Sequence, residues 1–138
     1  VKDLKSFELT LKSEKDTFLL GQKIARSLTK PSLIYLHGEL GAGKTTFAQG
    51  FINELLGETR VLSPTYAYVQ SYGPKKIHHF DLYRIDDAEI ISELGLDIML
   101  DDEAAIRLVE WPENLGHFYK KPDIDIYLLK DPRRAIIK

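Results

Sequence analysis

Four residues at fixed spacing, Gly38, Gly43, Lys44 and Thr45, satisfy the pattern G-x-x-x-x-G-K-[ST]. Their chemistry is that of a triphosphate cradle. Gly38, Gly41 and Gly43 let the backbone turn and bring its N–H groups close to phosphate oxygens without side-chain clash. A helix opening near Gly43 would point its positive end at the same anion. Lys44 supplies a mobile charge for the β- and γ-phosphates, and the Thr45 hydroxyl is a ligand for Mg²⁺. The loop expected to line the triphosphate therefore comprises Gly38, Glu39, Leu40, Gly41, Ala42, Gly43, Lys44, Thr45 and Thr46. The plainer reading is a glycine-rich turn ahead of a helix.

The flanks favour the first reading. The apolar residues 33–36 read as a buried strand, and residues 46–56 as a helix stopped by Gly57. Nucleotide chemistry also needs a carboxylate near the cation, normally at the end of a second apolar strand. Two places fit: residues 77–81, ending in Asp81, and residues 106–110, ending in Glu110. The second is the more apolar run. Ser63, Pro64 and Thr65 form a loop soon after the phosphate-loop helix, where many such proteins keep a segment that senses the γ-phosphate. An ordinary turn explains the same residues.

The rest of the chain must position these groups. Phe7, Leu9 and Leu11 alternate with polar residues and predict a half-buried strand. Ser13 is an N-cap, with Asp16 as capping-box partner, for a helix that stops near Pro31. Tyr66, Tyr68 and Gln70 begin a hairpin that turns at Gly73 and Pro74 and returns through residues 76–80. His78 and His79 are adjacent on that strand, so they face opposite sides and cannot readily share an ion. Structural roles are expected for both, with one lining the site. Residues 86–94 predict one short helix capped by Asp87 and ended by Gly95. Glu89, Asp97, Asp101, Asp102 and Glu103 form an acidic run that reads as a solvated surface or a docking face for a basic partner. Further strands are expected at residues 124–129 and 135–137, around a turn at Asp131 and Pro132.

Composition narrows the classes. The 138 residues, 43% hydrophobic and 29% charged, suit a single globular domain spanning 1–138. The absence of cysteine removes disulfides and thiolate metal sites, which suits a reducing, cytoplasmic setting. No apolar run is long enough to span a membrane, and no signal-peptide pattern opens the chain. A net charge of −2 provides no basic field to hold nucleic acid unaided.

Four runs together resemble the TsaE (YjeE) family of small bacterial P-loop ATPases: residues 37–46, residues 63–66, residues 79–84 and residues 108–111. The resemblance implies a role in threonylcarbamoyladenosine modification at position 37 of tRNA. In that process a transferase formed by the TsaD and TsaB proteins carries out the chemistry, and ATP turnover by the TsaE-type protein permits repeated cycles. The family protein meets tRNA only indirectly, through that complex. By motif, Thr45 and Glu110 would hold Mg²⁺, and Asp81 would lie near the metal and the attacking water, with Lys44 neutralising developing charge. Ser63 to Thr65 would form one switch-like segment. His79, Tyr83 and Arg84 would belong to a second, with Trp111 beside the site. Arg84 is the candidate stabilising arginine, and low turnover in isolation is expected.

The expected fold is α/β, a P-loop NTPase three-layer sandwich. The phosphate-loop strand and the residue-106 strand should be central parallel neighbours, with the hairpin and terminal strands adding antiparallel members. Without the resemblance, a small-molecule or nucleoside kinase and a nucleotide-dependent switch both remain open. The first needs an acceptor pocket and an arginine-bearing lid. The second, in its guanine-specific form, needs an Asn-Lys-x-Asp motif that is absent. Glu14 and Arg133 are the candidates for the adenine pocket.

Overall fold

The structure, a computed structural model, describes residues 6–64, 67–74 and 76–138. In chain order the elements are β1 (Phe7–Thr10), α1 (Glu14–Ser27), β2 (Leu33–His37), α2 (Lys44–Leu56), β3 (Val69–Tyr72), β4 (Ile77–Asp81), α3 (Glu89–Glu93), α4 (Leu96–Leu100), β5 (Ile106–Glu110), a 3₁₀ segment at Pro112–Phe118, β6 (Ile124–Leu129) and β7 (Arg134–Ile137). The strands form one seven-stranded sheet in the order β1-β7-β6-β2-β5-β4-β3.

The sheet is mixed, as expected. β2 lies parallel to both β5 and β6, and β4 parallel to β5. β3, β7 and β1 supply the antiparallel pairs at the two margins. The centre has to be apolar on both faces because helices cover both. Ile34, Leu36, Leu108 and Ile126 pack with Phe47, Phe51 and Ile24 beneath α1 and α2. Leu33, Tyr35, Phe80 and Val109 pack on the opposite face with Ile91, Leu96 and Leu115 from α3, α4 and the 3₁₀ segment. Tyr35 is fully buried there, and its hydroxyl donates to the Lys120 carbonyl at 2.6 Å. Burial pushes that phenol up to about 12.

Several local expectations hold in altered form. Ser13 caps α1, its Oγ accepting from the Asp16 N–H at 3.3 Å. The reciprocal bond runs one residue upstream, from the Lys12 N–H to Asp16 Oδ2 at 2.8 Å. The hairpin strand starts at Val69, later than its alternation predicts, because Tyr68 takes a left-handed φ of 65° that breaks the extended run. Tyr66 and Thr65 lie outside the described residues. The single helix expected at residues 86–94 is followed by a second, α4, after Gly95 turns the chain at φ 73°. Buried Arg107 fixes the end of α4 by donating from Nη1 to the Leu100 carbonyl at 2.7 Å. His78 and His79 do point to opposite sides. His78 engages Ser71 and Asp102, whose carboxyl is held below the usual range chiefly by that bond.

Two glycines set how closely α1 approaches α2. A Cβ at Gly21 would strike the backbone of Phe47 and Phe51, and one at Gly50 the backbone of Phe18. Backbone cannot swing aside as a side chain can, so added volume must separate the helices. Gly50→Ala is expected to cost about 1–3 kcal/mol, seen as a lower urea midpoint with unchanged slope. An unaltered midpoint would show that this contact is not tight.

Candidate functional site

β2 ends at His37 and the chain turns at once into the loop that opens α2. Gly41 has φ 80° and Gly43 φ 108°, left-handed values that side chains disfavour. Gly43 is also the N-cap of α2, its carbonyl accepting from the Phe47 N–H at 2.9 Å, with no side chain capping the remaining N–H groups. Those donors face the cavity with the positive end of a helix of 13 residues behind them. The loop is tied from outside by the β6–β7 turn. Lys130 Nζ donates to the Leu40 carbonyl at 2.8 Å, and Arg133 Nη1 to the Ala42 carbonyl at 3.4 Å.

Lys44 is buried despite its charge. Its Nζ donates to the carbonyls of Gly38 and Glu39 and lies 4.5 Å from the centre of the Trp111 ring. Burial lowers its pKa, while the fields of Glu110, Asp81 and Glu113 act in the opposite sense. The ammonium thus sits between desolvation and three carboxylates.

The carboxylates arrive together because β4 and β5 run parallel in a register that pairs Asp81 with Glu110. Strand alternation then places His79, Asp81 and Glu110 on the sheet face covered by α1 and α2. His79 Nε2 and Glu110 Oε2 are 2.6 Å apart, and both side chains are buried. Asp81 Oδ1 accepts from the Tyr83 N–H at 3.0 Å. That bond bends the chain away from β4 and brings the Tyr83 ring to 5.0 Å from the ring of Trp111.

One cavity of about 340 Å³ gathers most of the predicted residues. Leu40, Gly41, Gly43, Lys44, Thr45 and Thr46 line it from the loop and α2, and Asp81 and Glu110 from the strand ends. Ser63, Tyr83 and Trp111 complete its rim, and Glu14 and Arg133 close the side next to α1. Gly38 and Glu39 instead line a neighbouring cavity of about 470 Å³, with His37, Tyr127 and Lys130. Ala42 is buried behind the loop. His79 reaches the cavity only through Glu110, and Arg84 is exposed and not part of the lining. Thr65 lies outside the described residues.

Sequence reasoning passed over three residues that shape this site. Lys130 holds the loop from a position 90 residues away, and Glu113 adds to the field at Lys44. Thr17, on α1, presents its Cγ2 against the position a Cβ on Gly43 would occupy, at 3.2 Å. None belongs to a recognisable local pattern, so only the fold reveals them.

The geometry has counterparts among known proteins. The sequence matches the model of the family described as "Threonylcarbamoyl adenosine biosynthesis protein TsaE" over residues 11–136. It is 38% identical over 122 residues to a Rickettsia conorii protein named tRNA threonylcarbamoyladenosine biosynthesis protein TsaE, covering 86% of this chain and 69% of that one. A Mycobacterium tuberculosis protein of the same name is 34% identical over 128 residues, covering 86% and 76%. The crystal structure of Bacillus subtilis YdiB superposes with a TM-score of 0.75 at 26% identity, over 99% of this chain and 86% of that one.

Thr17 provides a test of the site's packing. Its Oγ1 is buried and finds no partner among the described residues. Removing an unsatisfied polar atom while keeping shape is close to neutral or stabilising. Thr17→Val is therefore expected to leave unfolding stability unchanged or raise it by up to ~1 kcal/mol. A loss larger than that in urea denaturation would show that the hydroxyl is engaged.

Proposed function

The chain belongs to the TsaE family of tRNA threonylcarbamoyladenosine biosynthesis proteins, and from that membership we propose that it is a Mg²⁺-dependent ATPase serving the TsaD–TsaB transferase. One observation carries the catalytic part. Lys44, Thr45, Asp81 and Glu110 converge on a single cavity at the N-terminus of α2. A glycine turn alone would explain the loop, but not two buried carboxylates facing it across a parallel register.

The donor set fits the group it would hold. Among the described residues no three His, Asp or Glu side chains form a metal cage. A hydroxyl and one or two carboxylates beside a phosphate loop suit Mg²⁺, which keeps water and phosphate oxygens as most of its ligands. Thr45 and Glu110 are the residues that would hold it. Held there, it would supply charge neutralisation beside the phosphate oxygens.

The chain's own residues then have defined tasks. The N–H groups of Gly41, Gly43, Lys44 and Thr45 and the dipole of α2 orient the phosphates. Lys44 leaves its backbone acceptors for phosphate oxygens and keeps its charge beside the developing negative charge. Asp81 accepts a hydrogen bond from the attacking water and aligns it. Ser63, Tyr83 and Trp111 stand at the rim, where a change in the phosphates alters their packing. Arg133 and Glu14 face the base. Contact with tRNA is made through the TsaD–TsaB pair, in the cytoplasm. A chain with net charge −2 fits an arrangement that leaves RNA binding to its partners. Among the described residues no helix is long and apolar enough to cross a membrane.

The reading is checked by Mg²⁺-dependent ATP hydrolysis, measured alone and with TsaB and TsaD. Slow turnover is expected alone, and faster turnover with the pair. Lys44→Ala, Thr45→Ala and Glu110→Ala should each lose about 100-fold or more, the scale of a lost transition-state charge contact. Normal turnover in Lys44→Ala and Thr45→Ala would remove the site assignment. Turnover indifferent to the pair would remove the accessory role and leave a P-loop ATPase.

A further inference from the structure

The buried pair under the cavity points beyond that assignment. His79 is fully buried, and Glu110 is 3% exposed. Their contact, His79 Nε2 to Glu110 Oε2 at 2.6 Å, is short and charge-assisted when Glu110 is ionised. A carboxylate can only accept, so Nε2 carries the proton of this bond. The other ring nitrogen, Nδ1, is buried and has no partner among the described residues.

This is a costly arrangement for a merely structural histidine. An unsatisfied buried ring nitrogen is unfavourable, and an apolar side chain of similar volume would avoid the loss. Apart from Asp81 and Glu110, the β4 and β5 residues beside it on that face are apolar: Ile77 and Leu108 belong to the core under α1 and α2. His79 is placed across from Leu108 in the β4–β5 register and reaches diagonally to Glu110, which pairs with Asp81. The contact engages Oε2 of a carboxylate that also lines the cavity.

We infer that His79 is a positioning residue, which locks the rotamer of Glu110 so that one carboxylate oxygen is presented to a divalent cation. The inference rests on the reading of Glu110 as a cation ligand and assigns the histidine a fixed, supporting role in place of a switch-like one. Partners that orient a metal-ligating carboxylate typically govern affinity by 10–100-fold. The predicted defect is therefore in cation binding first and in turnover second.

The test is Mn²⁺ binding to the full chain with ADP, followed by electron paramagnetic resonance, beside the Mg²⁺ dependence of ATP turnover. His79→Leu removes the donor and keeps bulk. His79→Gln keeps an N–H near the place of Nε2. The expected result is Mn²⁺ affinity lower by about 10-fold or more in His79→Leu. Turnover should recover partly at high Mg²⁺, with nucleotide affinity in the absence of cation unchanged. His79→Gln should stay within about threefold of the parent, since the orienting hydrogen bond is retained. If His79→Leu fails to fold, His79→Asn, whose shorter amide stops short of Glu110, takes its place with the same expected loss. Parental Mn²⁺ affinity in the folded leucine or asparagine variant would overturn the positioning role. An equal loss in the glutamine variant would overturn it too. Glu110→Ala separates the two levels of the argument. If it also binds Mn²⁺ as the parent does, the cation reading of Glu110 falls. If it loses Mn²⁺ while His79→Leu does not, only the role of His79 falls.

Discussion

The parallel register of β4 against β5 is the constraint from which the rest of the site follows. It pairs Asp81 with Glu110, and the parallel pairing of β5 with β2 puts both at the sheet edge where the phosphate loop begins. Parallel strands end together only if every connection crosses back over the sheet, which requires a helix or long segment between them. α2 meets that need between β2 and the hairpin. α3 and α4 meet it between β4 and β5. The helices that seal the two faces are therefore the same segments that make the alignment of the carboxylates possible.

Gathering Lys44, Asp81 and Glu110 below the surface has an electrostatic cost. Each desolvated charge is unfavourable by several kcal/mol if left alone. Here the cost is shared out. The fields of Glu110 and Asp81 partly offset the desolvation of Lys44, and His79 holds one oxygen of Glu110. Removing any one member leaves another uncompensated, so these residues stand or fall as a set. The tight crossing of α1 and α2 at Gly21 and Gly50 keeps the helices over that face close-packed.

What could be read in the sequence was what is local. The phosphate loop is a contiguous pattern, and both strand-ending carboxylates follow from apolar runs and their last residues. The strand order needed more. The apolar runs mark Asp81 and Glu110 as strand ends but do not say that they are neighbours, because register is a tertiary property. The hairpin's first strand was set too early because Tyr68 takes a left-handed backbone that no propensity signals. α4 was missed because its five residues are too few for a helical period to show. Lys130 and Glu113 escaped for a similar reason, since each acts through a contact that the fold creates across a long stretch of chain. The family resemblance, by contrast, was legible throughout residues 37–111, because it lies in the order of short motifs rather than in any contact.

Trp111 shows how the two kinds of information meet. It follows Glu110 directly, and its φ of 59° is left-handed, a value that costs a non-glycine residue roughly 1–3 kcal/mol. An extended residue there would continue β5 and send the ring along the strand. The left-handed turn instead ends the strand at Glu110 and swings the indole across the mouth of the site. There it meets the Lys44 ammonium and the Tyr83 ring and forms a wall common to both neighbouring cavities. Pro112, buried immediately after it, begins the 3₁₀ segment and fixes the chain's exit. Strain of this kind persists only where surrounding contacts outweigh it. The contacts that do so here are with the lysine of the loop and the tyrosine held by Asp81, so the backbone at Trp111, the ammonium and the two carboxylates are set by one another.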